Sequence, residues 1–596
     1  MPSDKINEPG GTQTDSSRKA GKDKLDSILG TPASAKLMVD GHELTMEIAS
    51  IELRQFIDDH HVLKVKLHNP DLLEGGQDVG NDLPYPRFLG KSMSLTVTPH
   101  GEQVDESREL SFVGTVTNVD AEYSIHGMSF DTVTVHSPTI SMDGAKQNAF
   151  FTDQSASDII GGIIGDYPVT VGETESIEGT LAFSVQHRET DYDYVMRLAT
   201  GGGKFAYYDG QEFSVTAAGS SEAEELVWRE TLGSFTMGLG TASAEFTAQV
   251  YNYEQKKIFA QDTKSLSEQS SLSDLSKLSP DASKEVFKKS GFSTTPKVVA
   301  DAQSLEKILQ RDRSRSMDRM INCRGQSNVP AVRVGHAIKI KGMNALDGTY
   351  WVTRVYHTFD ENGAYYNRFE CTPVDLAFPQ SKSARGTLTS LQSAEVVDNN
   401  DPDGLGRIKV KFPWLESAET IWVRLMTPHA GKDRGWYCLP EIGDEVLVGF
   451  EFGSPDHPII IGALYNKEDS PLSDAVDPEN KVKLFKTRSG NQIKITDEDG
   501  AEEIAISTKE GENSIVLNMS GPSITITSEG DISIKGANIS IEGDEEITLK
   551  SGSNMKVEAG GNHETKASGS LKIEGATADL KGQGPVNVKG AVINLN

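Results

Sequence analysis

Cysteine and aromatic residues are scarce in this chain of 596 residues. Its three cysteines, Cys323, Cys371 and Cys438, are odd in number and far apart in sequence. They predict neither a disulfide framework nor a metal cluster, which suits assembly in a reducing cytoplasm. Aromatics make up 7% of the residues, and after Phe485 there is no Phe, Tyr, Trp or Cys through Asn596. No apolar run is long enough to span a membrane. The stretch from Met1 to about Lys36 is rich in Gly, Ser, Lys and Asp and holds no apolar segment of a secretory signal. Basic charge is in deficit: 58 Lys and Arg stand against 88 Asp and Glu, for a formal charge of −30. Such a chain repels nucleic acid and anionic headgroups at long range, so neither is expected as a partner bound by charge.

What is present is glycine, 56 residues of it, and short alternating runs. The length calls for several domains, and the pattern calls for a mainly β protein. Residues 1–35 read as a flexible arm. From 36 to 380, runs such as Val62-Leu63-Lys64-Val65-Lys66-Leu67 and Ser94-Leu95-Thr96-Val97, broken at Asp40-Gly41 and Asn69-Pro70, predict two antiparallel barrels. Helices are expected at Ser155 to Ile164, with Thr152-Asp153 as cap, and at Thr190 to Leu198. A Ser-, Lys- and Glu-rich stretch at about 255–320 reads as a polar insertion that interrupts the second barrel, with a polar helix from Ser304 to Met320. Residues 386–466 carry the strands Arg407 to Phe412, Ile421 to Leu425 and Glu445 to Phe450, enough for a small Greek-key barrel.

The strongest pattern is a repeat. Apolar-x-apolar pairs recur at Ile524/Ile526, Ile532/Ile534, Ile539/Ile541, Ile547/Leu549, Met555/Val557 and Leu571/Ile573. His563/Thr565 occupy the place of one further pair. Successive steps are eight residues with one of seven, and glycines fall between them. One short strand plus a glycine corner per unit is the signature of a β-helix. Alternation puts the paired residues on one face and Lys, Glu, Ser and Thr on the other. Each buried aliphatic yields roughly 1.5–3 kcal/mol, a thin return for ordering eight residues. Three intertwined chains resolve this, because their inward rows meet on one axis and their edges pair. Residues 480–596 are therefore predicted to form the needle of a homotrimer, with those twelve aliphatics on its axis.

Several segments resemble the VgrG family and the related spike proteins of contractile injection systems and contractile phages. They are Gln186-His187-Arg188-Glu189-Thr190-Asp191-Tyr192-Asp193-Tyr194, Cys323-Arg324-Gly325 with Leu346 to Val352, Gly406 to Phe412, Pro440 to Val448, and Gly453-Ser454-Pro455-Asp456-His457-Pro458. The resemblance runs from about residue 35 to 596. It implies two tube-like hub barrels that dock an inner tube or its initiator among baseplate proteins. It also implies an OB-fold barrel joining hub to needle, and a PAAR-like tip protein capping the needle. The expected role is mechanical: a spike that transiently pierces a target membrane when a sheath contracts. It would be assembled in the bacterial cytoplasm without a signal peptide and delivered with the injection particle. The alternatives are a type VI spike carrying effectors, and a trimeric β-helical adhesin or lyase.

No catalytic constellation stands out, and neither an enzyme nor a cofactor is expected. Leu89-Gly90-Lys91-Ser92 ends like a phosphate loop, but Tyr85 stands where the first Gly is needed. Gly201-Gly202-Gly203-Lys204 runs into Phe205, and Asn399-Asn400-Asp401-Pro402-Asp403-Gly404 has Val410 where a calcium loop needs Glu. Glu189 and Asp191 read as charges at a helix start. His563, turned to the axis in three copies, could hold a water, an anion or a metal; the plain alternative is a solvated polar layer. The apolar, uncharged segment Val592, Ile593, Asn594, Leu595 and Asn596 is expected to dock the tip protein by strand addition.

Overall fold

The computed structural model describes residues 31–68, 85–100, 108–122, 129–219, 222–266, 272–293, 301–380, 390–415 and 419–594. They fall into two compact units divided at Ser470.

In the first unit, eight strands close a ring in the order Thr31–Val39, Ser92–Pro99, Leu110–Glu122, Phe130–His136, Val62–His68, Ile48–Phe56, Gly348–Asp360 and Ala364–Pro373. Alternate residues point in, so Leu53, Leu63, Val65, Phe112 and Val135 fill the ring and are almost wholly buried. The strands at Gly348–Asp360 and Ala364–Pro373 are long enough to serve twice. Beyond the first ring they pair with Ala337–Lys341 and Ile321–Ser327, which pair in turn with Glu224–Val227 and Leu232–Leu239. This second barrel has its own core around Tyr350, Trp351 and Phe369. The two barrels are thus fused through one shared hairpin.

Several details differ from the sequence reading. The first strand begins at Thr31, inside the segment expected as an arm, because Thr31 and Pro32 pair with Tyr365 and Ala364 to close the ring. The helix Ala156–Ile164 is capped by Ser155, whose hydroxyl accepts the Asp158 N–H at 3.1 Å, while Thr152 and Asp153 lie in the preceding strand. The described parts of the stretch at 255–320, residues 255–266, 272–293 and 301–320, are folded and not merely a polar excursion. A hairpin of Phe246–Asn252 and Lys257–Asp262 packs on the helix Ala302–Asp318 through Val250, Phe259, Leu305 and Leu309. The helix Asp274–Val286 shows no apolar period because serines form its inner face. Ser276 donates to Asp375 at 2.7 Å, and Ser283 donates to the Ser279 carbonyl at 2.7 Å. Cys323 and Cys371, distant in sequence, are directly opposed in the ladder, both as free thiols.

A five-stranded sheet over Gln392–Ala463 encloses Val396, Ile408, Val410, Phe412, Val446 and Ile460 and completes the first unit.

The second unit corrects the needle's start. Residues from 482 to 528 form an antiparallel meander of the strands Val482–Lys486, Gln492–Thr496, Glu503–Ser507, Asn513–Asn518 and Ser523–Ser528. Here the repeats are joined by tight turns, and each strand finds its partner in its own chain. The first predicted axial pair, Ile524/Ile526, belongs to this sheet. Among the described residues no strand follows Ser528.

Candidate assembly surfaces

One surface joins the small barrel to the hub. The helix Asp191–Gly201 starts where Thr190 accepts the Asp193 N–H at 3.2 Å. Its Arg197 grips both oxygens of Glu189 at 2.9 and 2.8 Å and donates to the Val185 carbonyl at 2.8 Å. This stiffens the strand Thr180–Glu189, which meets the small barrel. The Val185 N–H donates to Asp456 at 2.7 Å, the His187 ring lies 4.9 Å from that of Trp414, and Phe150 packs against the barrel's core. A second hub element touches the barrel through the Asn252–Lys257 turn. The Arg424 guanidinium lies 4.2 Å over the Tyr253 ring, and Arg407 approaches Glu254 at 3.9 Å.

The residues weighed as chemical candidates are each engaged. Asp191 accepts from Tyr167 at 2.5 Å and from Gln186 at 2.7 Å, and the Tyr167 hydroxyl is pushed up to about 12, chiefly by that bond. Asp401 accepts Arg407 Nη2 at 2.7 Å and Nε at 3.0 Å, together with the N–H groups of Asp403, Leu405 and Arg407. The guanidinium holds this carboxyl well below the usual range. The loop that suggested calcium therefore closes on an arginine. Lys91 pairs with Asp40 at 2.9 Å beside a turn at Gly90, whose φ is +76°. Lys204 pairs with Glu175.

The other surface is the aliphatic face of the second unit. In the meander, Phe485, Ile493, Ile506, Ile515 and Ile526 are successive cross-strand partners, as are Ile495, Ile504, Leu517 and Ile524. Both ladders lie on one face, and most of these side chains remain substantially exposed. A trough of about 500 Å³ runs along it from Phe485 to Ile532. Beyond Glu529, described residues make no backbone–backbone hydrogen bond within the chain. There the predicted axial residues Ile532, Ile534, Ile539, Ile541, Ile547, Leu549, Met555, Val557, Leu571 and Ile573 are all exposed, Ile541 by 70% and Ile573 by 80%. His563 is exposed and its Nε2 lies 3.1 Å from the Thr565 hydroxyl. Val592, Ile593 and Asn594 are exposed, while Leu595 and Asn596 lie outside the described residues.

A fused double barrel, a small barrel pinned to it and an apolar-striped stalk define the class: a hub, a joint and a spike. Residues 73–363 match the family model of the phage tail baseplate hub (GPD). Residues 392–465 match that of the type VI secretion system/phage-baseplate injector OB domain. The chain is a VgrG-like spike protein. It is 29% identical over 224 residues to the type VI secretion system spike protein VgrG5 of Pseudomonas aeruginosa, covering 31% of this chain and 28% of that protein. It is 28% identical over 222 residues to the actin cross-linking toxin VgrG1 of Vibrio cholerae, covering 33% and 20%. The aligned part thus spans about a quarter of those relatives' length. The fold is similar to the half-lidded Francisella PdpA–VgrG complex, with a TM-score of 0.55, 8% identity, and coverage of 86% of this chain and 91% of that one.

Proposed function

We propose that this chain is the non-enzymatic central spike of a contractile injection system, acting as a homotrimer. The observation that carries the reading is the run from 530 to 594. It shows exposed aliphatics at fixed spacing and a backbone with no partner of its own. In water such a run gains nothing from order; wound with two further copies it pairs its edges and buries its rows. The hub barrels would dock the inner tube or its initiator among baseplate proteins, and a PAAR-like protein would cap the spike. Force would come from sheath contraction, with the membrane as a transient partner. At −30, long-range attraction to nucleic acid plays no part. Assembly in the bacterial cytoplasm and delivery within the particle follow from this reading.

The relative whose name is an actin cross-linking toxin favours a second reading, a spike that carries an effector; what supports it is that likeness alone. Light scattering tests the main proposal. The full chain should have the mass of three copies, and Ile541→Asp, which sets like charges on one axis, should shift it toward single chains. A wild-type monomer at micromolar concentration would overturn it.

A further inference from the structure

Cys323 and Cys371 are Cα partners on the antiparallel strands Ile321–Ser327 and Ala364–Pro373. Directly opposed residues in such a ladder have Cα atoms about 4.5 or 5.5 Å apart, inside the roughly 4.4–6.8 Å that a disulfide spans. Opposed side chains also share one face. Both thiols are free and buried in the second barrel's core, whereas Cys438 is exposed on the small barrel. Burial raises the Cys371 thiol well above its ordinary value, and the neighbouring Cys323 thiol adds to the effect. Among the described residues no group of three or more His, Cys, Asp or Glu is placed to hold a metal.

We propose that Cys323 and Cys371 form a latent cross-strand disulfide, a dithiol under reducing conditions that is closed by low-molecular-weight disulfides of the oxidised-glutathione type. In the first step one protein thiolate attacks a sulfur of the small disulfide. A protein–small-molecule disulfide forms, and one small thiolate leaves. In the second step the other protein thiolate attacks the protein sulfur of that mixed disulfide and expels the second small thiolate. The two protein thiols lose two electrons and two protons; the small disulfide takes both electrons and becomes two thiols. Access is given by the Leu232–Leu239 strand, the last of the sheet path, which covers Ile321–Ser327 on its far side. Closure is therefore slow, at the rate at which that edge opens. Once closed, the bond ties the ends of a segment that includes the shared strand Gly348–Asp360, locking the fusion of the two barrels.

The test uses the full chain carrying Cys438→Ser, so that the exposed thiol cannot retain glutathione, reduced and then incubated with oxidised glutathione, with and without moderate urea to open the edge. The thiol titre after denaturation should fall by two, the intact mass should drop by two hydrogen atoms, and one peptide pair should link Cys323 to Cys371. The melting midpoint should rise by several degrees. With Cys371→Ala added to that background the closure should vanish, and the wild-type chain should give the same linked peptide pair beside glutathione carried on Cys438. An unchanged titre, or a stable mass gain from glutathione left on the protein, in both conditions overturns the proposal.

Discussion

The Asp456 carboxylate accepts the Val185 backbone N–H at 2.7 Å, across 271 residues of chain. The bond joins the Gly453-Ser454-Pro455-Asp456 turn of the small barrel to the strand that Arg197 braces through Glu189 and the Val185 carbonyl. One carboxylate and one guanidinium therefore hold both polar groups of Val185.

Asp456→Ala should weaken the joint. A charge-assisted bond to a part-buried N–H contributes roughly 1.5–3 kcal/mol. Calorimetry should show the small barrel melting at lower temperature, with the hub transition little moved, and Asp456→Asn should recover part of the loss. A single unshifted transition would mean that the aromatic contact between His187 and Trp414 carries the joint instead.

Asp401→Ala should cost more, because it leaves the Arg407 guanidinium short of its main partner while three loop N–H groups lose their acceptor. Removing one member of a buried ion pair costs on the order of 3–5 kcal/mol. Asp403, at 2.5 Å from Arg407 but largely exposed, offsets only part of it. Urea unfolding of the variant should show that loss. A shift near zero would place the arginine's anchorage at Glu254.

How much of this was legible in the sequence depends on which force shaped each part. Strands such as Val62–His68 were plain, because one face meets a core and the other does not, and period two records that. The helix Asp274–Val286 was not, since its inner face is Ser276, Ser279 and Ser283, which satisfies backbone and Asp375 and leaves no apolar period. The sharing of Gly348–Asp360 by two barrels was hidden as well: pairing partners far away in sequence leave no local mark. Residues 482–528 misled in another way. Their alternation is that of any half-buried strand, and only turn geometry, such as Gly490 at φ +92° and Gly500 at φ +80°, makes them a meander instead of a winding thread. The joint residue Asp456 stands in the sequence only as part of the Gly453-Ser454-Pro455-Asp456 turn. Its partner Val185 carries no side-chain signal at all.

Acidification should loosen the hub. Burial pushes His61, lodged against the Phe112 and Tyr208 rings, down to about 3, and does the same to His357. In the unfolded chain both titrate near their ordinary value of about 6.5. Between those values the unfolded state binds more protons, so stability falls as pH drops from 6.5 toward 3. Asp318 works the other way: burial raises it to about 6, so the folded state gains as pH falls from about 6 to 4. Two histidines against one aspartate leave a net loss of stability across that window. The urea midpoint should track it, and His61→Phe should flatten the slope. A slope unchanged in the variant would refute the assignment.

The last prediction concerns Val592 and Ile593. Both are exposed, they sit in a segment with no charged side chain, and no backbone hydrogen bond of the described chain reaches them. Brought together in three copies they would form an apolar patch ringed by unpaired N–H and C=O groups, which a soluble surface normally covers. A PAAR-like tip protein would cover it by adding its own strands, with the aliphatics as anchors. Val592→Asp with Ile593→Asp should then abolish capture of that protein in a pull-down while the trimer keeps its mass, because the remaining axial rows are untouched. Removing Ala591 to Asn596 should do the same. Capture at full strength by either variant would move the tip contact elsewhere on the stalk, and loss of the trimer itself would show that these residues belong to the axis and not to the tip.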